Sequence, residues 1–110
     1  KNLLGDNSFM DLSIEQIIKF VCQDMKVSER QILGKSRTME VALARQLAMF
    51  LSKELTNASL ANIGTHIGGR DHSTVIHACK NIDKKILDDN DFQRKVESIK
   101  NKISGQKISN

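Results

Sequence analysis

The sequence contains no proline, tryptophan or tyrosine, and only four phenylalanines and six glycines among its 110 residues. The absence of proline and the scarcity of glycine favour packed helices over an architecture of strands and tight turns. With so few aromatic rings, the chain lacks a platform on which exposed bases could stack. The composition therefore argues against the RNA-recognition-motif class of binding protein.

Cysteines and long apolar runs are also scarce. Cys22 and Cys79 lie far apart in the chain, and we expect both to be buried thiols in a reducing cytoplasm rather than partners in a disulfide. The longest apolar run is only a few residues, well short of the roughly 20 that a membrane-spanning helix needs. We therefore expect a soluble protein.

Length and charge bound the organisation of the chain. At 110 residues and 12.3 kDa it fits a single domain. Its 17 cationic and 13 anionic side chains give a net charge of +4, which favours a polyanionic partner without requiring one. We assign residues 1–12 to a linker or the end of a preceding domain, residues 13–103 to the domain itself, and residues 104–110 to a polar tail.

Capping residues and apolar periodicity predict about six helices, and hence an all-α domain. A basic loop over residues 34–38 follows the second helix, which Gly34 is placed to end. Further helices are predicted over residues 39–55, from 60 to about 67, from 72, and from about 91. The two capping boxes are Ser13 with Gln16 and Ser28 with Gln31. The predicted inward faces include Val41, Ala44, Leu47, Ala48, Leu51 and Leu55 in the third helix, and Phe92, Val96, Ile99 and Ile103 in the last.

Residues 60–84 have the layout of a helix-turn-helix: a short helix begun by Ser59, a turn with Gly68 and Gly69, and a longer helix capped by Asp71. At about 100° per residue, the apolar residues of the longer helix share one face and its polar residues share the opposite one. Hydrogen-bonding groups near its N-terminus suit base reading, and cations further along suit phosphate binding. The polar face comprises Ser73, His77, Lys80 and Lys84.

Three features admit more than one interpretation. As an N-cap, Asp71 pairs with backbone amides and with the helix dipole; it can also accept a hydrogen bond from a cytosine amino group, and the two roles are compatible. His72 and His77 are spaced i and i+5 rather than i and i+4, which disfavours a metal site. Residues 34–36 spell the end of a phosphate-binding loop, but Glu29 stands where that motif needs glycine.

A family resemblance is carried by the run from Ile63 to Ala78, I-G-T-H-I-G-G-R-D-H-S-T-V-I-H-A. It strongly resembles the signature of the C-terminal DNA-binding domain in the bacterial replication-initiator family, DnaA. The segment from Ala44 to Asn57, A-R-Q-L-A-M-F-L-S-K-E-L-T-N, is similar to the same family, so the resemblance extends over about residues 13–103. It implies a Trp-repressor-like helix-turn-helix domain that binds double-stranded DnaA boxes at the replication origin.

The resemblance also implies that catalysis and cofactor binding belong to other domains of the protein. Catalysis and cofactors are not expected here, because ATP or ADP with magnesium would belong to an AAA+ ATPase domain. That domain and an N-terminal interaction domain are expected in the full protein and are missing from this sequence.

Binding roles carry over from the resemblance position by position. It places Arg37 of the basic loop in the minor groove, with Lys35 beside it, in agreement with the attraction of arginine to narrow A·T-rich minor grooves. On the recognition helix, residues 72–87, and its cap, the base-contacting positions are Asp71, His72, Ser73, Thr74 and His77. Residues expected at phosphates are Lys35, Arg45, Gln46, Lys53, Leu60, Ala61, Arg70 and Lys80. Of these, Arg45, Gln46 and Lys53 are predicted to face outward, and Arg70 has a structural role in the turn as its alternative.

Several residues depart from the family pattern. Ile67 stands where phenylalanine is usual, Ala44 and Ala61 stand where proline is frequent, and Met39 lies in a loop that is often richer in arginine. Ile67 should be a tolerable exchange in the core, and the loss of proline from the first turn of a helix removes preorganisation without changing the fold. We expect fewer backbone contacts, and binding that is weaker or more selective among boxes.

Two alternatives stand beside a monomeric origin-binding domain. One is a Trp-repressor-like transcriptional regulator, which would be a dimer that reads a palindrome; the other is a protein-interaction module whose basic face binds an acidic partner. Further expected partners are other initiator protomers, through the missing domains, and acidic phospholipid at the domain border. There Phe9, Met10 and Leu12 beside Lys19 would form an amphipathic edge, and core packing is the alternative use of these apolar residues. We expect a cytoplasmic, nucleoid-associated protein.

Overall fold

The computed structural model of the chain describes residues 12–108, with the side chains of residues 12–105. Within that range the chain forms six α-helices and no strand, which confirms the expected all-α class. The segment predicted as a linker lies outside the described residues except for Leu12. The helices are α1 (Ile14–Met25), α2 (Glu29–Leu33), α3 (Met39–Leu55), α4 (Leu60–His66), α5 (His72–Asp88) and α6 (Asn90–Ile108).

The predicted capping residues begin their helices as expected. In α1 the Ser13 hydroxyl accepts from the Gln16 amide at 3.1 Å, and the Gln16 side chain accepts from the Ser13 amide at 3.0 Å. Ser28 and Gln31 repeat this reciprocal pair at α2. These bonds satisfy amides that a helix N-terminus otherwise leaves unpaired, and they fix where each helix starts.

The core is organised around α3, which packs against α1, α2, α4 and α5. Its predicted inward residues Leu47, Ala48 and Leu51 are fully buried. Met49 and Phe50, which were not predicted to be inward, are buried as well. Because α1 covers one side of this helix and α5 another, its apolar stripe is wider than that of a helix packed on one side.

The last helix is longer than expected. It begins at Asn90, where Asp89 accepts from the Phe92 amide at 3.1 Å, and its predicted inward residues are buried. It continues to Ile108, so the helix runs into the segment from residue 104 that was predicted to be a polar tail. Without proline the segment contains no strong helix breaker, since a single glycine costs only about 1 kcal/mol.

Ion pairs attach α6 to the far side of the core. Asp24 on α1 lies 3.4 Å from Lys95 and 3.3 Å from Lys102.

Both cysteines are free thiols, with Cys79 buried and Cys22 partly buried. Among residues 12–108, no helix combines the length and the apolar character needed to cross a membrane.

Candidate nucleic-acid interface

The predicted helix-turn-helix is formed by α4, a turn over residues 67–71, and α5. Gly68 and Gly69 have φ of +79° and +67°, a region that side chains with a Cβ disfavour. The Arg70 amide donates to the Gly64 carbonyl at 2.8 Å. A Cβ at Gly64 would lie 2.1 Å from the Arg70 carbonyl oxygen, so the close approach of α4 to the turn requires glycine at this position.

The N-terminus of α5 presents polar side chains to solvent. Asp71 caps the helix through Oδ1, which accepts from the Thr74 amide at 3.3 Å and lies 3.5 Å from the Thr74 hydroxyl. Among the described side chains and amides nothing donates to its second oxygen, Oδ2. The Oδ1 atom therefore forms the cap, and the Oδ2 atom is left with its acceptor capacity unused by these groups. The predicted base-contacting residues His72, Ser73, Thr74 and His77 are all exposed.

The Arg45 side chain, predicted to face outward, is half-buried and folds back over the end of α2 and the following loop instead of extending into solvent. Its guanidinium donates to the carbonyl oxygens of Gln31, Ile32, Gly34 and Ser36, at distances from 2.7 to 3.1 Å. Burial, and then the charge of Arg70, lower the pKa of the Arg45 guanidinium. This residue holds the end of α2 and the following loop, because the last carbonyls of a helix lack partners within it.

Arg70 has the structural role that the sequence left open for it. Its Nη1 donates to the Ile67 carbonyl at 3.0 Å, and its Nη2 donates to the Gly34 carbonyl at 2.6 Å. The first bond stabilises the turn of the helix-turn-helix, and the second reaches the loop between α2 and α3. Most donors of Arg45, and two of those of Arg70, are thus directed to the chain itself.

The remaining predicted phosphate residues differ in exposure. Lys35, Lys53, Ala61 and Lys80 are exposed, and Leu60 is half-buried at the start of α4. Gln46 is also half-buried, and with Leu43 and Lys85 it lines a shallow groove between α3 and α5. Arg37, predicted to enter the minor groove, is exposed in the loop between α2 and α3.

The cations predicted to contact DNA differ from four cations of α6 in their acidic partners. Arg94, Lys95, Lys100 and Lys102 of α6 each form an ion pair with a carboxylate. No carboxylate of the described residues lies within ion-pair distance of Lys35, Arg37, Lys53, Lys80 or Lys84. None of these five cations therefore has to leave a carboxylate of the described residues before it can meet an anionic ligand. The same holds for Lys19 of α1, Lys26 at the end of α1 and Arg30 of α2.

Comparison with known proteins gives one consistent family. The model of the bacterial DnaA protein helix-turn-helix matches residues 14–82. The chain is 47% identical over 92 residues to the chromosomal replication initiator protein DnaA of Chlorobaculum tepidum, covering 84% of this chain and 19% of that protein. It is 43% identical over 106 residues to the protein of the same name from Thermodesulfovibrio yellowstonii, covering 96% and 24%. The chain thus spans only about a fifth to a quarter of the length of these relatives.

Proposed function

The chain belongs to the bacterial DnaA helix-turn-helix family, and on that premise we propose that it binds double-stranded DnaA boxes at the replication origin. One observation carries the proposal. The N-terminus of α5 carries exposed hydrogen-bonding groups, and the same helix carries cations without a carboxylate partner among the described residues. Further cations of this kind lie on the loop of residues 34–38 and on α3. The relatives are replication initiators by name, so initiation is the role proposed for the whole protein.

The major groove would receive the N-terminal turn of α5. His72 and Ser73 offer donors and acceptors to base edges there, and Thr74 and His77 are exposed on the same helix. Asp71 would accept from a cytosine amino group through Oδ2 while Oδ1 keeps the cap on the Thr74 amide. The free oxygen supports this dual role, because neither hydrogen bond has to be given up for the other.

The adjacent minor groove would receive Arg37. A narrow A·T-rich minor groove has an enhanced negative potential that attracts an inserted guanidinium. Arg37 is exposed and has no carboxylate partner among the described residues, so its charge is available to the groove. Lys35 lies two residues earlier in the same loop, where it would contact the backbone that borders the groove.

Phosphates would be held by Lys53 and Lys80, with the amides of Leu60 and Ala61 adding uncharged contacts. The first amides of a helix have no partner within it, and such groups bind phosphate in many complexes. Arg45 and Gln46 contribute less than the family pattern implies, since Arg45 uses most of its donors within the chain. The domain as proposed has no catalytic step and uses no cofactor.

The test is fluorescence anisotropy with a duplex carrying one DnaA box and a scrambled duplex, each at several salt concentrations. The protein should prefer the box, and His72→Ala or Ser73→Ala should cost about 1–3 kcal/mol on the box and little on the scrambled duplex. Lys53→Ala should weaken binding to both and reduce the salt slope by about 0.9. Arg94→Ala is the matched control, because its cation lies on α6 and pairs with Asp91.

Three outcomes would contradict the proposal or part of it. Equal and salt-labile binding to both duplexes would leave only a basic helical domain. A loss confined to the box on Lys53→Ala would contradict its phosphate role. Two protomers bound to a palindromic site would favour the Trp-repressor-like regulator instead.

A further inference from the structure

One backbone oxygen joins the two elements that are proposed to read DNA. The Gly34 carbonyl accepts from Arg45 Nη2 at 3.1 Å and from Arg70 Nη2 at 2.6 Å. Gly34 begins the loop that carries Arg37, and Arg70 lies in the turn immediately before α5. Through these bonds the loop is attached directly to the turn of the helix-turn-helix, 36 residues later in the chain.

Gly68 provides the passage for this contact. A Cβ at that position would lie 1.9 Å from Arg70 Nη1 and 2.6 Å from the Leu33 carbonyl oxygen. The guanidinium therefore crosses the turn through the space that a side chain at residue 68 would fill. The contact between the Arg70 guanidinium and the Gly34 carbonyl therefore depends on the shape of the turn as well as on the length of the Arg70 side chain.

The two guanidiniums are held by carbonyl groups instead of carboxylates. Among residues 12–105 neither lies within ion-pair distance of an acidic side chain. Arg45 meets carbonyls in the last turn of α2, at the negative end of that helix. Two or more backbone carbonyl oxygens at fixed positions accept from each planar guanidinium, and together they hold it in one orientation.

We infer that Arg45 and Arg70 are positioning residues, which hold the loop of residues 34–38 at a fixed place relative to α5. They set the distance between the base pairs that Arg37 reads in the minor groove and those that α5 reads in the major groove. This inference rests on the proposed function, and it gives the two arginines a role in specificity rather than in phosphate binding.

Arg70→Lys tests the inference, because it keeps the charge but cannot offer two donors in a fixed plane to the Ile67 and Gly34 carbonyls. Three duplexes are compared: the box, the box with a G·C pair at the site where Arg37→Ala loses discrimination, and the box with one changed major-groove base. The unmodified protein should lose about tenfold in affinity on each altered duplex, within the usual range for one base contact.

For Arg70→Lys the expected result is selective. Discrimination at the minor-groove site should fall to about twofold or less, while discrimination at the major-groove site and the salt slope stay unchanged. In that background Arg37→Ala should cost little more, so the two substitutions should be strongly non-additive. Arg94→Lys, the same exchange on α6, should change none of these quantities.

Other patterns would overturn the inference. An equal loss on all three duplexes, with discrimination intact, would make Arg70 a phosphate contact. Joint loss of both kinds of discrimination would make it a residue that supports the fold alone. A protein without substitutions that does not distinguish the box from a scrambled duplex would refute the proposed function itself, and the inference with it.

If Arg70→Lys or the parallel variant Arg45→Lys does not fold, the inference can still be tested by a measurement on the protein without substitutions. If the loop is held as inferred, NMR order parameters for the amides of residues 35–37 should be close to about 0.85 in the DNA-free protein, as in rigid backbone. Values below about 0.6 would overturn the inference, because a loop that moves on this scale is not positioned by the two arginines.

Discussion

Gly64→Ala should destabilise the domain by about 1–3 kcal/mol. The new Cβ would lie 2.1 Å from the Arg70 carbonyl oxygen and 3.0 Å from its carbonyl carbon, so α4 and the turn must move apart by about 1 Å or more. Overpacking of this kind costs about 1–3 kcal/mol or more, and the bond from the Arg70 amide to the Gly64 carbonyl would be worth about another 1 kcal/mol. The better helix propensity of alanine returns only about 1 kcal/mol.

Gly105→Ala is the matched control for this effect. It makes the same exchange within α6, at an exposed position where an added Cβ meets nothing within 4 Å. It should therefore show the propensity term alone and leave stability unchanged or raise it by up to about 1 kcal/mol. The difference between the two variants isolates the steric cost at the turn.

Urea unfolding followed by circular dichroism measures both variants, and Gly64→Ala should also lower the melting temperature by about 4–12 °C. Its affinity for a DnaA box should fall in the folded protein, because the displaced turn carries Asp71 and the start of α5. If Gly64→Ala unfolded at the same urea concentration as Gly105→Ala, the close approach of α4 to the turn would not constrain this position, and the reasoning would be refuted.

Three further predictions concern single side chains. Ser52→Ala should leave stability unchanged or raise it by up to about 1 kcal/mol in urea unfolding, because the described residues offer the buried Ser52 hydroxyl no hydrogen-bond partner; a clear loss would point to a bond that the hydroxyl makes. Asp71→Asn should retain the cap and the stability, whereas Asp71→Ala should cost about 1 kcal/mol; equal stability of the two would contradict the cap. Burial raises the pKa of the Cys79 thiol, so the unfolded thiol ionises first. Its contribution to the free energy of unfolding should be complete below the ordinary thiol pKa of 9.0 and decline as pH rises above it; this decline should be smaller in Cys79→Ala, and a decline of the same size would assign it to other groups.

Local signals predicted the helices and their starts well. The caps at Ser13, Ser28 and Asp71 depend on short-range geometry, which a few residues specify completely. The turn at Gly68 and Gly69 was predictable for the same reason, since both glycines have positive φ. The recognition helix and its exposed polar face follow from a periodicity that one helix contains within itself.

Features that depend on packing between distant segments were predicted poorly. Periodicity placed Arg45 on the outer face of α3, because nothing near it in sequence shows that α2 ends beside it with unpaired carbonyls. Met49 and Phe50 were missed because α3 is covered on more than one side. The end of α6 was placed too early because a polar sequence lacks an apolar stripe but can still remain helical.

Because the two oxygens of the Asp71 carboxylate have different partners in the proposed complex, DNA binding and the helical order of the first turn of α5 are thermodynamically linked. If a base donates to Oδ2 while Oδ1 holds the Thr74 amide, DNA favours the state in which the first helical turn is intact. By linkage, fraying of that turn must reduce affinity by the same factor by which DNA suppresses the fraying. Hydrogen exchange at the first amides of α5 would then report occupancy of the box without any label on the DNA.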